Sequence, residues 1–150
     1  MNLEKVVVLL RGVSGCGKST VAKWLANLAF EVNVGDKAND SYDYVCCADD
    51  YYIEKYGSYK WNPQEISHAH AYCREKFMRN IMADNGLIVV ANTNTKESDF
   101  KYYIDKAKQN GYAIFSLVVE NRHGGTNEHN VPEVALDKQE QAIKNSLKLR

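Results

Sequence analysis

Gly12-Val13-Ser14-Gly15-Cys16-Gly17-Lys18-Ser19 fills every fixed position of the pattern G-x-x-x-x-G-K-[ST]. Each residue type in it suits phosphate binding. Glycines let successive backbone N–H groups turn inward around the α- and β-phosphates, and the amino end of a following helix adds positive potential. Lys18 brings a point charge to the β- and γ-phosphates, and the Ser19 hydroxyl is a magnesium ligand. Gly12, Ser14, Gly15, Cys16, Gly17, Lys18, Ser19 and Thr20 are therefore the expected site for ATP, or another nucleoside triphosphate, with Mg2+. A plain glycine-rich turn is the bland alternative. A buried strand before the loop and an amphipathic helix after it make that the weaker reading.

Asp49 and Asp50 end the apolar run YDYVCCA. Ligands of open α/β sheets bind beyond the carboxyl ends of the strands, which places these acids at the site. Three roles are open to them: a magnesium ligand, a general base for an attacking hydroxyl, or a solvated helix cap. The run GLIVVA at 86–91 leads into Asn92-Thr93-Asn94-Thr95 and brings no acid. Magnesium would then rest on Ser19, phosphate oxygens and water, leaving Asp49 for base work. Asn94 or Thr95 would also cap the helix that follows. Neither D-x-x-G nor N-K-x-D occurs, which disfavours a guanine-specific switch, and the chain is short for the second subdomain of ring-forming ATPases. A small phosphotransferase remains.

These residues need a frame. Residues 5–11 (KVVVLLR) read as a strand buried on both faces, and residues 19–30 as a helix with Val21, Leu25 and Leu28 on one side. Residues 31–41 read as a loop and 42–48 as a second strand. Ile66, Ala69, Cys73, Phe77 and Ile81 recur at helical spacing over 63–84, with Pro63 in the first turn and Asn85-Gly86 as the stop. Strands at 86–91 and 112–119, helices at 96–110 and 132–149, and a polar loop at 120–131 complete the chain. Strands separated by helices imply parallel pairing through right-handed crossovers. The expected fold is α/β, a three-layer P-loop NTPase of the kinase type, with about four parallel strands, in one domain spanning 1–150.

Composition agrees. The chain has 150 residues, 19 Lys+Arg against 19 Asp+Glu, and 45% hydrophobic residues, enough for a core and unlike disordered or fibrous chains. No apolar run reaches the roughly 18 residues of a membrane span, and the amino terminus does not read as a signal peptide. Cys16, Cys46, Cys47 and Cys73 form no C-x-x-C pair and read as buried thiols, so a cytoplasmic location is expected. Zero net charge argues against a protein that coats nucleic acid.

The chain resembles the P-loop polynucleotide 5′-hydroxyl kinases, including the phage polynucleotide kinase domain and the NEDD4-binding-protein-2-like ATPases. The likeness runs through GVSGCGKST (12–20), ADDYY (48–52), YKWNP (59–63), AHAYC (69–73), NTN (92–94) and NEHNVP (127–132). It implies that Asp49 activates the acceptor hydroxyl and that residues 120–131 form a lid over the donor phosphates. Arg122, the lone arginine there, would stabilise charge on the transferring phosphoryl group. Two places depart from the family pattern: Thr126 stands where a second lid arginine is frequent, and Ala91-Asn92-Thr93-Asn94 stands where many members carry an acid (D-N-T-N or D-T-N).

Tyr51, Tyr52, Tyr56, Tyr59 and Trp61 interleave with Lys55 and Lys60. Rings beside cations suit a single-stranded end, although such aromatics equally build cores. Acids and bases balance at five each from Asp49 through Met82, so a short nucleic acid end or a small phosphate acceptor fits better than long duplex. His70 reads as a packed histidine, and His123 and His129 show no metal spacing. The expected activity is ATP-dependent transfer of a phosphate to a 5′-hydroxyl. A small-metabolite or nucleoside kinase, and a nucleotide-binding module with little turnover, are the alternatives.

Overall fold

The computed structural model describes residues 5–32, 38–122 and 129–147. Four parallel strands stand in the order β2-β3-β1-β4: β1 (Val6–Arg11), β2 (Val45–Cys46), β3 (Leu87–Ala91) and β4 (Ala113–Val118). Val8 of β1 faces Val89 on one side and Phe115 on the other, and Val45 pairs with Val89. The helices are α1 (Lys18–Val32), α2 (Asp50–Tyr56), α3 (Ile66–Met82), α4 (Glu97–Gln109) and α5 (Glu133–Asn145).

Alternation along β1 divides the core into two layers. Val8 and Leu10 meet Ala22, Ala26 and Ala29 of α1 with Val45, Val89 and Ala91. Val7 and Leu9 point the other way, to Cys73 and Phe77 of α3 and to Phe100, Tyr103 and Ala107 of α4. The three-layer α/β expectation is met, because a sheet buried on both faces needs a helical layer on each.

Several local expectations are corrected. The inward stripe of α1 is its alanines, and Leu28 is 63% exposed. Small side chains let the helix axis approach the sheet, which pushes Leu28 onto the outer flank; Val21 and Leu25 only border that cluster. The strand expected over 42–48 shrinks to Val45–Cys46. Upstream of it, the Asp40 carboxylate accepts from the Tyr42 and Asp43 amides and coils Ser41–Tyr44 into a 3-10 turn. Pro63–Glu65 is likewise a 3-10 turn that precedes α3, and Ile66 at its start is exposed. The stretch after Asp49, for which a helix cap was one of the open readings, forms the short helix α2. The final helix ends at Asn145 rather than near 149, and residues 148–150 lie outside the described residues. So do residues 33–37 of the first loop and 123–128 of the second, including His123 and Thr126. No helix among the described residues is long and apolar enough to cross a membrane.

Candidate active site

The phosphate loop leaves β1 where both neighbouring strands end. The Gly12 amide donates to the Thr93 carbonyl (3.1 Å) and the Val119 amide to the Arg11 carbonyl (2.7 Å), which ties the Arg11–Gly12 peptide to both sides. Gly15 and Gly17 take φ of 80° and 102°, left-handed backbone that suits glycine. A Cβ on Gly12 would collide with Cys16 Sγ and lie 2.7 Å from the Val119 carbonyl oxygen. Gly12→Ala should therefore lower stability by about 1–3 kcal/mol, as overpacking does, and weaken nucleotide binding. Urea unfolding alongside titration with a fluorescent ATP analogue checks both effects; unchanged affinity would count against a tight loop.

Lys18 is buried, and its ammonium donates to the carbonyls of Gly12 (2.9 Å) and Val13 (2.8 Å), with Cys16 Sγ at 3.6 Å. Burial draws its pKa down, opposed by Cys16, Cys47 and Asp49. From α5, Gln139 Oε1 accepts from the Ser14 amide at 2.9 Å. An acceptor oxygen at a loop amide, a cradle a single methyl would fill and an ammonium turned onto the loop together fit a bound polyphosphate. Ser19 and Thr20 are exposed at the start of α1. No group of three or more His, Cys, Asp or Glu that could hold a metal occurs among the described residues. Ser19, the expected magnesium ligand, stands with its hydroxyl exposed next to Lys18.

Asp49 stands at the amino end of α2, directly after the exit of β2, and its side chain makes no capping bond. The helix-cap role is therefore not the one it plays here. Its carboxyl lies 3.8 Å from His129 Nε2 and is 43% exposed. Burial pushes its pKa above the ordinary aspartate range, while His129, Lys18 and His70 pull the other way. Asp50 turns aside: its Oδ1 accepts from the Tyr42 hydroxyl at 2.9 Å, and its buried Oδ2 has no hydrogen-bond partner among the described residues.

Asn92 and Asn94 frame the site in a way the sequence did not suggest. Asn92 Oδ1 accepts from the amide of Ala48 (2.9 Å), the residue before Asp49, and Asn92 Nδ2 donates to Cys73 Sγ (3.5 Å). Asn94 adopts φ 47° and its Nδ2 donates to the Leu10 carbonyl at 2.8 Å, in β1 just ahead of the phosphate loop. Capping of α4 falls instead to Asp99, whose Oδ2 accepts from Thr95 N and Lys96 N, both at 3.2 Å. Amides at 92 and 94 thus pin the exits of β2 and β1, and at 94 a carboxylate would lack the donor for the Leu10 carbonyl.

Two residues fall differently from expectation. Arg122 is 85% exposed and its Nε donates to Glu120 at 2.6 Å, so the structure does not bring it to the phosphate loop. His129 enters the site unforeseen, stacked on Tyr59 with centroids 3.9 Å apart; the NEHNVP stretch was its only signal. Half-buried His70 joins it near Asp49.

A family model described as an AAA domain matches residues 7–144. The chain belongs to the AAA domain family. Solved structures show which fold this AAA domain takes. It resembles a cysteine variant of the Mycobacterium tuberculosis APS kinase CysC at 17% identity and TM-score 0.53, over 96% of this chain and 97% of that one. The same kinase in complex with AMPPNP and APS matches at 17% identity and TM-score 0.53, over 78% of this chain and 63% of that one. A chain of the Pnkp1/Rnl/Hen1 complex matches at 15% identity and TM-score 0.54, over 92% of this chain and 40% of that one. At these identities the likeness establishes the fold, that of a P-loop kinase.

Proposed function

We propose that this AAA domain transfers the γ-phosphoryl group of ATP, with Mg2+, to the 5′-hydroxyl of a nucleic acid end. The observation that carries the reading is Asp49: free of any capping bond, raised in pKa, and within electrostatic range of Lys18. In the proposed reaction the acceptor oxygen forms a bond to the γ-phosphorus while the bond to the β-phosphate oxygen breaks. Asp49 takes the hydroxyl proton and ADP leaves. Lys18 exchanges its carbonyl partners for phosphate oxygens, and Ser19 holds the metal. Magnesium, when bound, neutralises charge on the β- and γ-oxygens. No step is assigned to Arg122, whose guanidinium is held by Glu120. Cys46, Cys47 and Cys73 are free thiols, in keeping with a reducing cytoplasm.

An acceptor end has rings to stack on. Trp61 and Tyr56 are exposed, and Lys60 Nζ lies 6.0 Å from the Tyr56 ring centroid. One observation favours a smaller acceptor instead: Lys55 is already engaged by Glu65, which leaves little positive charge for a long phosphodiester strand. The APS kinase structure with AMPPNP and APS supports that second reading by analogy.

The deciding measurement is transfer of labelled γ-phosphate to 5′-hydroxyl oligonucleotides and, in parallel, to nucleosides and small alcohols, with Lys18→Ala as the inactive control. Transfer to monomers alone would move the assignment to the second reading, and transfer to neither would sink both. Activity should also fall on acidification. A base works only when ionised, and the raised pKa of Asp49 places its acid limb above that of an ordinary aspartate. A kcat profile from pH 4 to 8 checks this; a flat profile would rule out Asp49 as the base.

A further inference from the structure

A base buried enough to resist ionisation needs a neighbour that favours its charge. Lys18 acts in that direction, but the nucleotide phosphates are its proposed partners. His129 is the other close group, and its ring is held from behind. It stacks on Tyr59 at 3.9 Å and 30°. Tyr59 is in turn braced edge-on by Tyr52 at 5.9 Å and 77°, and the buried Tyr52 hydroxyl donates to the Asn62 carbonyl at 3.2 Å. Burial, with the Asp49 charge behind it, pushes the Tyr59 hydroxyl up to about 12.

The stack restricts the imidazole to one plane and leaves its Nε2 edge toward Asp49 Oδ2, 3.8 Å away. That is beyond hydrogen-bond reach and within range for a charge interaction; a closure of about 1 Å would make a hydrogen bond. His129 comes from the end of the segment that runs from β4 into α5, with Asn130 at φ 51° behind it. The base and its partner therefore arrive from segments far apart in the chain.

We propose that His129 is a positioning residue that, seated on Tyr59, orients Asp49 and holds it ionised for proton transfer. This rests on the reading of Asp49 as the base. The other groups felt at or around the carboxyl are Lys18 from α1, His70 from α3, and Asp50, Cys47, Tyr52 and Tyr59 from its own stretch of chain. Lys18 and His70 pull with His129, and the Asp49 charge opposes ionisation of the neighbouring Asp50.

His129→Phe keeps a ring on Tyr59 but removes the nitrogen, and His129→Gln restores a donor without the ring. In His129→Phe the acid limb of kcat should move to higher pH by about half to one unit, so that rates on the limb fall about three- to tenfold. The acceptor KM should stay near wild type, and His129→Gln should recover part of the shift. The second readout needs no turnover: carbon-13 NMR titration of the Asp49 carboxyl, identified by its loss in Asp49→Asn, should show the same upward move. An unmoved carboxyl titration in both variants overturns the proposal. If wild type transfers phosphate, Asp49→Asn does not, and His129→Phe keeps the wild-type acid limb, the positioning role fails while the base stands. Full activity in Asp49→Asn removes the base itself, and with it the positioning role.

Discussion

Asp49→Asn should abolish most phosphoryl transfer while leaving nucleotide binding intact. The amide is nearly isosteric, so the contacts that place residue 49 survive: the Ala48 amide remains on Asn92 Oδ1 and α2 still begins beside it. What is lost is a site for the acceptor's proton. Positioned general bases contribute about 10²- to 10⁴-fold, and kcat should fall by that range, with ATP affinity within about twofold of wild type. A mere structural role would invert the pattern, since the phosphate cradle is built by residues 12–19 and does not use the carboxylate. Stopped-time assays with labelled ATP, paired with calorimetric ATP titration, separate the two. Wild-type kcat in Asp49→Asn would end the base assignment.

Arg11→Met should produce the largest loss of stability. Arg11 is fully buried at the end of β1, one residue before the phosphate loop. Its Nε donates to the Asn94 carbonyl at 2.9 Å, Nη1 to the Ser146 carbonyl at 2.7 Å and Nη2 to Ser146 Oγ at 2.7 Å. The guanidinium also lies 4.6 Å from the Phe100 ring centroid, with Asp99 supplying opposite charge as burial draws the arginine pKa down. One planar fork therefore fastens β1, the turn after β3 and the end of α5.

Methionine fills much of the volume but leaves those buried carbonyls without a donor. Each lost charged hydrogen bond costs about 1.5–3 kcal/mol, and we expect a total of about 3–5 kcal/mol, or roughly 10 °C in Tm for a chain of this size. Arg11→Lys should recover only a small part, because a single ammonium cannot span the three acceptors. Urea unfolding followed by circular dichroism measures both, and a loss below about 1 kcal/mol would show that the fork is dispensable. The phosphate loop should loosen in the same variant, since Gly12 follows Arg11 directly.

What could be read from the order of residues was whatever depends on local spacing. The phosphate loop was legible because its chemistry is carried mainly by backbone amides, one lysine and one hydroxyl within eight consecutive residues. The strands at β1, β3 and β4 and the long helix α3 were legible for a similar reason: apolar runs and helical repeats are local patterns. Asp49 was legible as a strand-end acid, though its choice between capping and chemistry was not.

The remainder required side chains far apart in sequence to meet. Leu28 carries the right spacing for the core, yet the alanines beside it face the sheet, because helix-to-sheet distance is set by packing rather than by hydrophobicity alone. Asn92 and Asn94 gave no hint of pinning two other strands, since their partners Ala48 and Leu10 lie 44 and 84 residues away. Arg11 closes the run at 5–11, and nothing in its sequence neighbours marks it as a buried fastener to Ser146, 135 residues on. His129 looked like one loop histidine among two, until folding set it between Tyr59 and Asp49. Sequence alone determined that this protein builds a phosphate cradle and offers an acid beyond a strand; tertiary structure decided which groups surround that acid, because burial and charge come from neighbours in space.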